Sequence, residues 1–159
     1  MTEREYQNRI VEYAPSLYRI AHTVLLSDHD CADAVQEAVF QGWLKRSQLR
    51  DPDSFKSWIT RIVINECRNL QRKTQKQLRV VGAIIDDFRA NPAPASTSAL
   101  EAAVSQLPDK YRLPIILYYS ENYSTREIAQ IMNIPEGRLR ERMRTARKML
   151  GRALGNDSE

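Results

Sequence analysis

The sequence predicts an all-α protein made of two small helical domains joined by a linker. Three observations carry that prediction. Apolar residues recur at intervals of three and four along most of the chain. Glycine is scarce, at 5 in 159 residues, which disfavours a sheet-rich fold with many tight turns. The periodicity lapses from about residue 79 to 98, where NPAPASTS has a linker's composition. The expected division is 1–78, a linker at 79–97, and 98–159.

Taken in order, Ile10, Ala14, Leu17, Tyr18, Ala21 and Leu25 mark one face of a helix or of a pair of helices, with Pro15 suited to a restart. The polar break SDHD follows. A second stripe, Ala32, Val35, Val39 and Trp43 with Phe40 as a further candidate, ends near Arg46. DPDS breaks the chain again and offers Asp53 as an N-cap. A long helix over 54–72 then has Phe55, Trp58, Ile59, Ile62, Val63 and Leu70 on its inner face. The short apolar run VVGAIIDDF is consistent with a strand, a helical turn or a docking segment. The second domain restarts over 99–106, breaks at LPDKY, and continues through Leu113, Ile116, Leu117 and Tyr118.

Charge is spread unevenly. Residues 1–40 carry three basic side chains against seven acidic, residues 61–79 six against one, and residues 136–154 seven against two. Two basic stretches and one acidic stretch suggest two contacts with a polyanion and a separate contact with something else. Cys31 and Cys67 have no metal-ligand neighbour at useful spacing, which reads as a reduced cytosolic chain. No apolar run approaches the roughly 20 residues that span a bilayer, and MTEREYQNR is not a signal peptide. A cytoplasmic protein without membrane insertion is expected. Nucleophile–base pairs, Gly-rich phosphate loops and metal clusters are absent from the sequence, and His22 and His29 stand singly, so neither an enzyme nor a cofactor or small-molecule site is expected.

The most informative segment is ENYSTREIAQIMNIPEGRLRERMRTARKML. Ser124-Thr125-Arg126-Glu127 reads as a capping box opening a short helix with Ile128 and Met132 inward. Ala129 is small where two helices must cross. Asn133 tolerates a left-handed turn, Ile134 plugs the corner, and Pro135 can begin the next helix. Leu139, Met143, Ala146 and Leu150 form its apolar stripe, leaving Arg138, Arg140, Glu141, Arg144, Thr145 and Arg147 outward or flanking. A short helix, a tight turn and a basic helix is the plan of a helix-turn-helix whose second helix enters the major groove.

With these residues in view, the chain resembles a bacterial RNA polymerase sigma factor of the extracytoplasmic-function class. DCADAVQEAVFQGW resembles that family's region 2.2, SFKSWITRIVINECRNLQRK its regions 2.3 and 2.4, and LPDKYRLPIILYYSENYSTREIAQIMNIPEGRLRERMRTARKML its region 4. The resemblance implies a first domain that binds the clamp helices of the polymerase largest subunit through Asp33, Gln36 and Glu37, spaced i, i+3, i+4 on one helix. It implies a long helix that reads and holds the −10 element, with Asn65 at a pocket for an unstacked base and Arg61, Arg68, Arg72 and Lys73 on phosphates. It implies a second domain that binds the polymerase flap and reads the −35 element, through Ser124, Thr125 and Arg126 with Arg138, Arg140, Glu141, Arg144, Thr145 and Arg147. An anti-sigma factor is the implied regulator, beside core polymerase and promoter DNA as partners.

Trp43 and Trp58 fall on apolar stripes, which favours core packing over base stacking. The chain has GRLRERMRTAR where the family pattern resembles GTVKSRLHRAR. Arg138 replaces a threonine. Glu141 replaces a small serine, and can accept from cytosine N4 or repel phosphate. A linker of about 20 residues spans at most about 70 Å, so sites up to about 20 base pairs apart are within reach at about 3.4 Å per base pair. The other reading is a stand-alone helix-turn-helix regulator on a duplex operator, which leaves the second basic helix without a role.

Overall fold

The computed structural model describes residues 1–81 and 98–155, and among them there is helix and turn but no strand. Most of VVGAIIDDF and all of NPAPASTS lie outside the described residues. The chain divides into two compact units, Met1–Val80 and Val81–Glu159.

The first unit is three helices: α1 (Glu3–Val24), α2 (Asp28–Leu44) and α3 (Phe55–Val81). Helix α1 opens on a capping box in which the Thr2 hydroxyl accepts from the Glu5 amide and the Glu5 carboxylate from the Thr2 amide. The helix runs unbroken through Pro15, so residues 3–24 are one helix rather than a pair. The ring costs one backbone bond, and burial of Leu17, Ile20, Ala21 and Val24 beyond it holds the helix together. Tyr18 is exposed and Tyr6 is buried, so the core face differs in part from the expected stripe.

Helix α2 departs further. Its buried side is Cys31, Ala34, Val35, Ala38 and Gly42, while Phe40 is 55% exposed. Only Val35 of the expected stripe is fully buried; Ala32, Val39 and Trp43 are half-buried. The reason is close packing. An added Cβ on Gly42 would lie 2.6 Å from the Tyr6 hydroxyl and 2.8 Å from Ile59 Cδ1. That hydroxyl donates to the Val39 carbonyl at 2.5 Å.

Between α2 and α3, Asp51 caps a short 3-10 turn, Pro52–Ser54, that leads into α3, accepting from the Asp53 amide at 3.0 Å and the Ser54 hydroxyl at 3.3 Å, so that Asp53, the expected cap, lies inside that turn. Helix α3 buries Phe55, Ile59, Thr60, Val63, Ile64 and Cys67. Phe55 centres an aromatic cluster, 5.8 Å from Tyr6, 6.0 Å from Tyr13 and 5.9 Å from Trp58. Trp43 meets Tyr6 at 5.4 Å, and its face is covered by Arg46, whose guanidinium carbon lies 3.6 Å from the ring centroid. Both tryptophans are half-buried within this cluster. Helix α3 ends at Val81, nine residues past the expected Arg72 and three past the expected domain edge at 78.

The second unit holds α4 (Ala99–Ser105), α5 (Asp109–Ile115), α6 (Thr125–Met132) and α7 (Glu136–Ala153). Helix α5 contains the buried Pro114 and passes into a π-helical turn over Ile116–Ser120. Such wide turns are rare and place side chains that an α-helix would aim elsewhere. Here Leu117 is buried, and Tyr118 and Tyr119 reach solvent. Leu107, Leu113, Ile115, Leu117, Tyr123, Ile128, Ile131, Met132, Leu139, Met143 and Ala146 make the core.

Candidate functional site

The helix-turn-helix follows from local chemistry. The Ser124 hydroxyl accepts from the Glu127 amide at 3.1 Å, and the Glu127 carboxylate accepts from the Ser124 amide at 3.1 Å, closing the capping box that starts α6. Asn133 ends α6 in the left-handed region, at φ 55° and ψ 49°. The Ile134 amide bonds back to the Ala129 carbonyl at 3.0 Å. Pro135 is the N-cap of α7. Ala129, small and buried, permits the close crossing, and Leu139, Met143 and Ala146 seat α7 on the core, with Leu150 half-buried.

That seating leaves Arg138, Arg140, Glu141, Arg144, Thr145 and Arg147 exposed, together with Ser124 and Arg126 at the head of α6, while Thr125 is half-buried. Several are oriented by neighbours. Glu136, in the first turn of α7, accepts from Arg140 at 2.9 Å and from the Thr125 hydroxyl at 3.2 Å, tying the starts of the two helices together. The Arg147 Nε donates to the Tyr119 hydroxyl at 3.1 Å, with the guanidinium 5.9 Å from the ring centroid. Glu136 and Tyr119 were absent from the expected set, as was Lys148, which continues the outward row of Glu141 and Arg144 at helical spacing.

In the first unit, Arg61, Asn65, Arg72 and Lys73 on α3 are exposed and Arg68 is half-buried. At 3.6 residues per turn, Arg61, Asn65, Arg68 and Arg72 share the side opposite Ile59 and Val63, and Lys73 stands to one flank. Asn69 accepts from Arg72 at 3.4 Å. On α2, Asp33, Gln36 and Glu37 are all exposed on the side away from the core. Asp33 lies 3.4 Å from His29, and Glu37 accepts from Gln41 at 2.9 Å. His22 lies 3.4 Å from Asp28, so neither histidine stands without a partner. The same outer face carries Phe40 and Leu44, 55% and 57% exposed. Acidic groups beside exposed apolar ones suit contact with a protein better than contact with a polyanion. Phe40 was expected as a candidate for the core; its exposure places it on this face.

No group of three or more His, Cys, Asp or Glu among the described residues could hold a metal ion. No helix there is long and apolar enough to cross a membrane.

Comparison with known proteins agrees with this layout. The family model for sigma-70 region 2 matches residues 10–77, and that for sigma-70 region 4 matches residues 97–150. The chain is 27% identical over 143 residues to RNA polymerase sigma factor SigV of Bacillus subtilis, covering 89% of this chain and 86% of SigV. It is 26% identical over 158 residues to the extracytoplasmic-function (ECF) sigma factor SigW of the same organism, covering 89% and 84%. Among solved structures, the sigma factor RpoE in complex with the anti-sigma factor NepR from Bartonella quintana has the same fold, with a TM-score of 0.80 at 22% identity, covering 97% of this chain and 99% of that one. CnrH in complex with the cytosolic domain of CnrY has a TM-score of 0.70 at 22% identity, covering 99% and 92%. Two sigma-70 regions in order, on a fold in which a capped helix-turn-helix follows a helical unit with a basic long helix, make this chain a member of the extracytoplasmic-function sigma factors, which direct RNA polymerase in transcription initiation.

Proposed function

We propose that the first unit, roughly 1–78, is the part that binds core polymerase and the −10 element, and that 98–159 binds the flap and the −35 element, with 79–97 between them. The acidic and apolar outer face of α2 supports the first contact: Asp33, Gln36 and Glu37 flanked by Phe40 and Leu44 fit the clamp helices of the largest subunit. Helix α3 receives the melted −10 strand, with Asn65 at an unstacked base and Arg61, Arg68, Arg72 and Lys73 on the backbone. Helix α7 enters the −35 major groove. Arg138, Arg144 and Arg147 engage phosphate or guanine, Glu141 faces a base edge, and Ser124, Thr125 and Arg126 anchor the head of α6 near the backbone.

One observation carries the reading: an outward acidic and apolar face and two separate basic helices lie on one chain. A stand-alone operator-binding regulator has no use for the first face or the second basic helix. The protein acts in the cytoplasm by positioning and melting DNA, with the catalysis residing in the polymerase. Its regulator is an anti-sigma factor that covers the same surfaces; the solved relatives RpoE and CnrH are each bound to another protein, in RpoE's case an anti-sigma factor. Run-off transcription with bacterial core polymerase on a library of promoter-like fragments tests all of this. Start-site-specific transcripts that depend on the protein are expected. Duplex binding without core binding or transcription would leave the stand-alone regulator.

A further inference from the structure

Beyond its first turn, helix α7 carries a single acidic side chain, Glu141, in a segment rich in arginine. Glu141 is exposed and forms no ion pair among the described residues, although Arg138 and Arg144 stand three positions to either side. Glu136, by contrast, is taken up by Arg140 and Thr125. At about 3.6 residues per turn, Glu141 lies almost opposite the row Leu139, Met143, Ala146 and Leu150 that seats the helix. Gly137, one turn earlier, falls on the same outward line, and nothing lies within 4 Å of a Cβ added there. Arg138 and Thr145 flank the line on one side, and Arg140, Arg144 and Arg147 on the other.

A helix in the major groove turns the middle of its outward face to the base edges and its flanks to the two backbones. The flanks of α7 are cationic and suit phosphate. The middle holds a carboxylate, which accepts hydrogen bonds and donates none. Desolvating it there is unfavourable unless a base supplies an N–H. In the groove, cytosine N4 and adenine N6 are the groups that do so. The adenine amino group sits between two acceptors that repel a carboxylate, its own N7 and O4 of the paired thymine. The cytosine amino group has one such neighbour, O6 of the paired guanine. Gly137, with no side chain, lets the head of the helix approach the bases closely. Serine stands at the Glu141 position in the family pattern, so the contact is this chain's own.

We propose that Glu141 is a specificity-determining residue that accepts a hydrogen bond from N4 of a cytosine in the −35 element, selecting a C·G pair at one position. The inference rests on the reading of α7 as the −35 helix. It is tested with holoenzyme reconstituted from core polymerase and the full chain, either wild type or carrying Glu141→Ala or Glu141→Gln. The DNA is a promoter recovered by run-off transcription, with its −35 region randomised, and bound fragments are sequenced. Wild type should favour C·G at one position about tenfold, the order that a single mismatched pair costs. Glu141→Ala should lose that preference and keep the others. Glu141→Gln should move it toward adenine, because an amide pairs with both N6 and N7. Uniform tightening of all fragments by Glu141→Ala, with every preference unchanged, would mean that the carboxylate only repels phosphate, and overturns the contact. Wild-type preferences that all survive both substitutions overturn it too. A wild-type selection with no preference in the −35 region overturns the reading of α7, and the contact with it. So does binding undiminished by Arg138→Ala, Arg144→Ala and Arg147→Ala together. Both Glu141 variants change an exposed side chain, so each should co-elute with core polymerase as wild type does.

Discussion

Arg147 approaches DNA, in the assignment above, with its guanidinium already held at Nε by the Tyr119 hydroxyl. An exposed bond of this kind, from the charged guanidinium to a neutral hydroxyl, contributes about 0.5 kcal/mol once solvent competes for both groups, and its effect is to aim the remaining fork. Tyr119→Phe should therefore weaken binding to a −35 duplex about twofold while leaving the salt slope unchanged, because no cation is lost. Arg147→Ala should lower that slope by about 1. Titration of a labelled −35 fragment at several salt concentrations distinguishes the two, and a slope change in the tyrosine variant would rule out a purely positioning role. The buried titratable groups make a second prediction. Burial pushes Cys31 from 9.0 to about 11, assisted by Asp28 and Asp30, and Cys67 from 9.0 to about 12, assisted by Cys31 and Glu66. Burial likewise pushes Tyr6 from 10.0 to about 12. Raised values mean that the fold holds these protons more tightly than the unfolded chain does. Their contribution to stability is complete below pH 9 and is lost as pH climbs from 9 toward 11–12. Urea midpoints should fall steadily across pH 8, 9.5 and 10.5. Both thiols should resist a thiol reagent at pH 8 in the native protein and react once it is unfolded. The outward placement of the candidate cations was legible because arginine on an outward helical row is visible in sequence. Tyr119 was not, because it meets Arg147 across 28 positions through a π-helical turn that no periodicity announces.

At the scale of single elements, α6 and its turn were readable because their chemistry is local: the Ser124 box, left-handed Asn133 and Pro135 all act within a few residues of themselves. Helix α2 was misread for the opposite reason. Its buried row is mostly small residues, Cys31, Ala34, Ala38 and Gly42, whose burial is set by how closely α1 and α3 approach, while the bulky Phe40 faces outward. The length of α3 was likewise hidden, since among residues 73–80 Leu78 is the one apolar side chain that is not exposed. Gly42 offers the sharpest check of the packing. An alanine there would place its methyl 2.6 Å from a tyrosine hydroxyl already committed to the Val39 carbonyl. Overpacking costs about 1–3 kcal/mol, against a gain of up to about 1 kcal/mol from replacing glycine within a helix. Gly42→Ala should thus destabilise the first unit by about 1–2 kcal/mol in a urea titration followed by tryptophan fluorescence, since Trp43 and Trp58 report on that unit. By contrast Gly137, with nothing within 4 Å of an added Cβ, should accept alanine without loss of stability.

For the whole molecule, an uneven distribution of charge was visible before any coordinate: an acidic first stretch, then two basic ones on either side of a linker. Residues 1–40 hold seven acidic residues, of which the family resemblance singles out Asp33 and Glu37, with Gln36 between them. The fold shows where each of the seven lies. Glu3, Glu5 and Glu12 lie on α1, where Glu5 is spent on a capping box. Asp33 and Glu37 stand one turn apart on α2, beside Phe40 and Leu44. The two activities assigned to the chain should therefore separate by mutation. Reversing Asp33 and Glu37 to lysine in the full chain removes two carboxylates from a surface assigned to the polymerase clamp and adds two cations, a change that costs several kcal/mol where like charges are brought together. Core binding should drop at least a hundredfold in a co-elution or fluorescence-anisotropy titration, and run-off transcripts should disappear. Binding of the same variant to a −35 duplex should be retained or slightly tightened, because none of the α7 residues has changed and the net charge has become more positive. Undiminished core binding would move the polymerase contact off α2. Loss of duplex binding together with core binding, in a variant whose helical content is normal, would mean that −35 reading depends on the first unit.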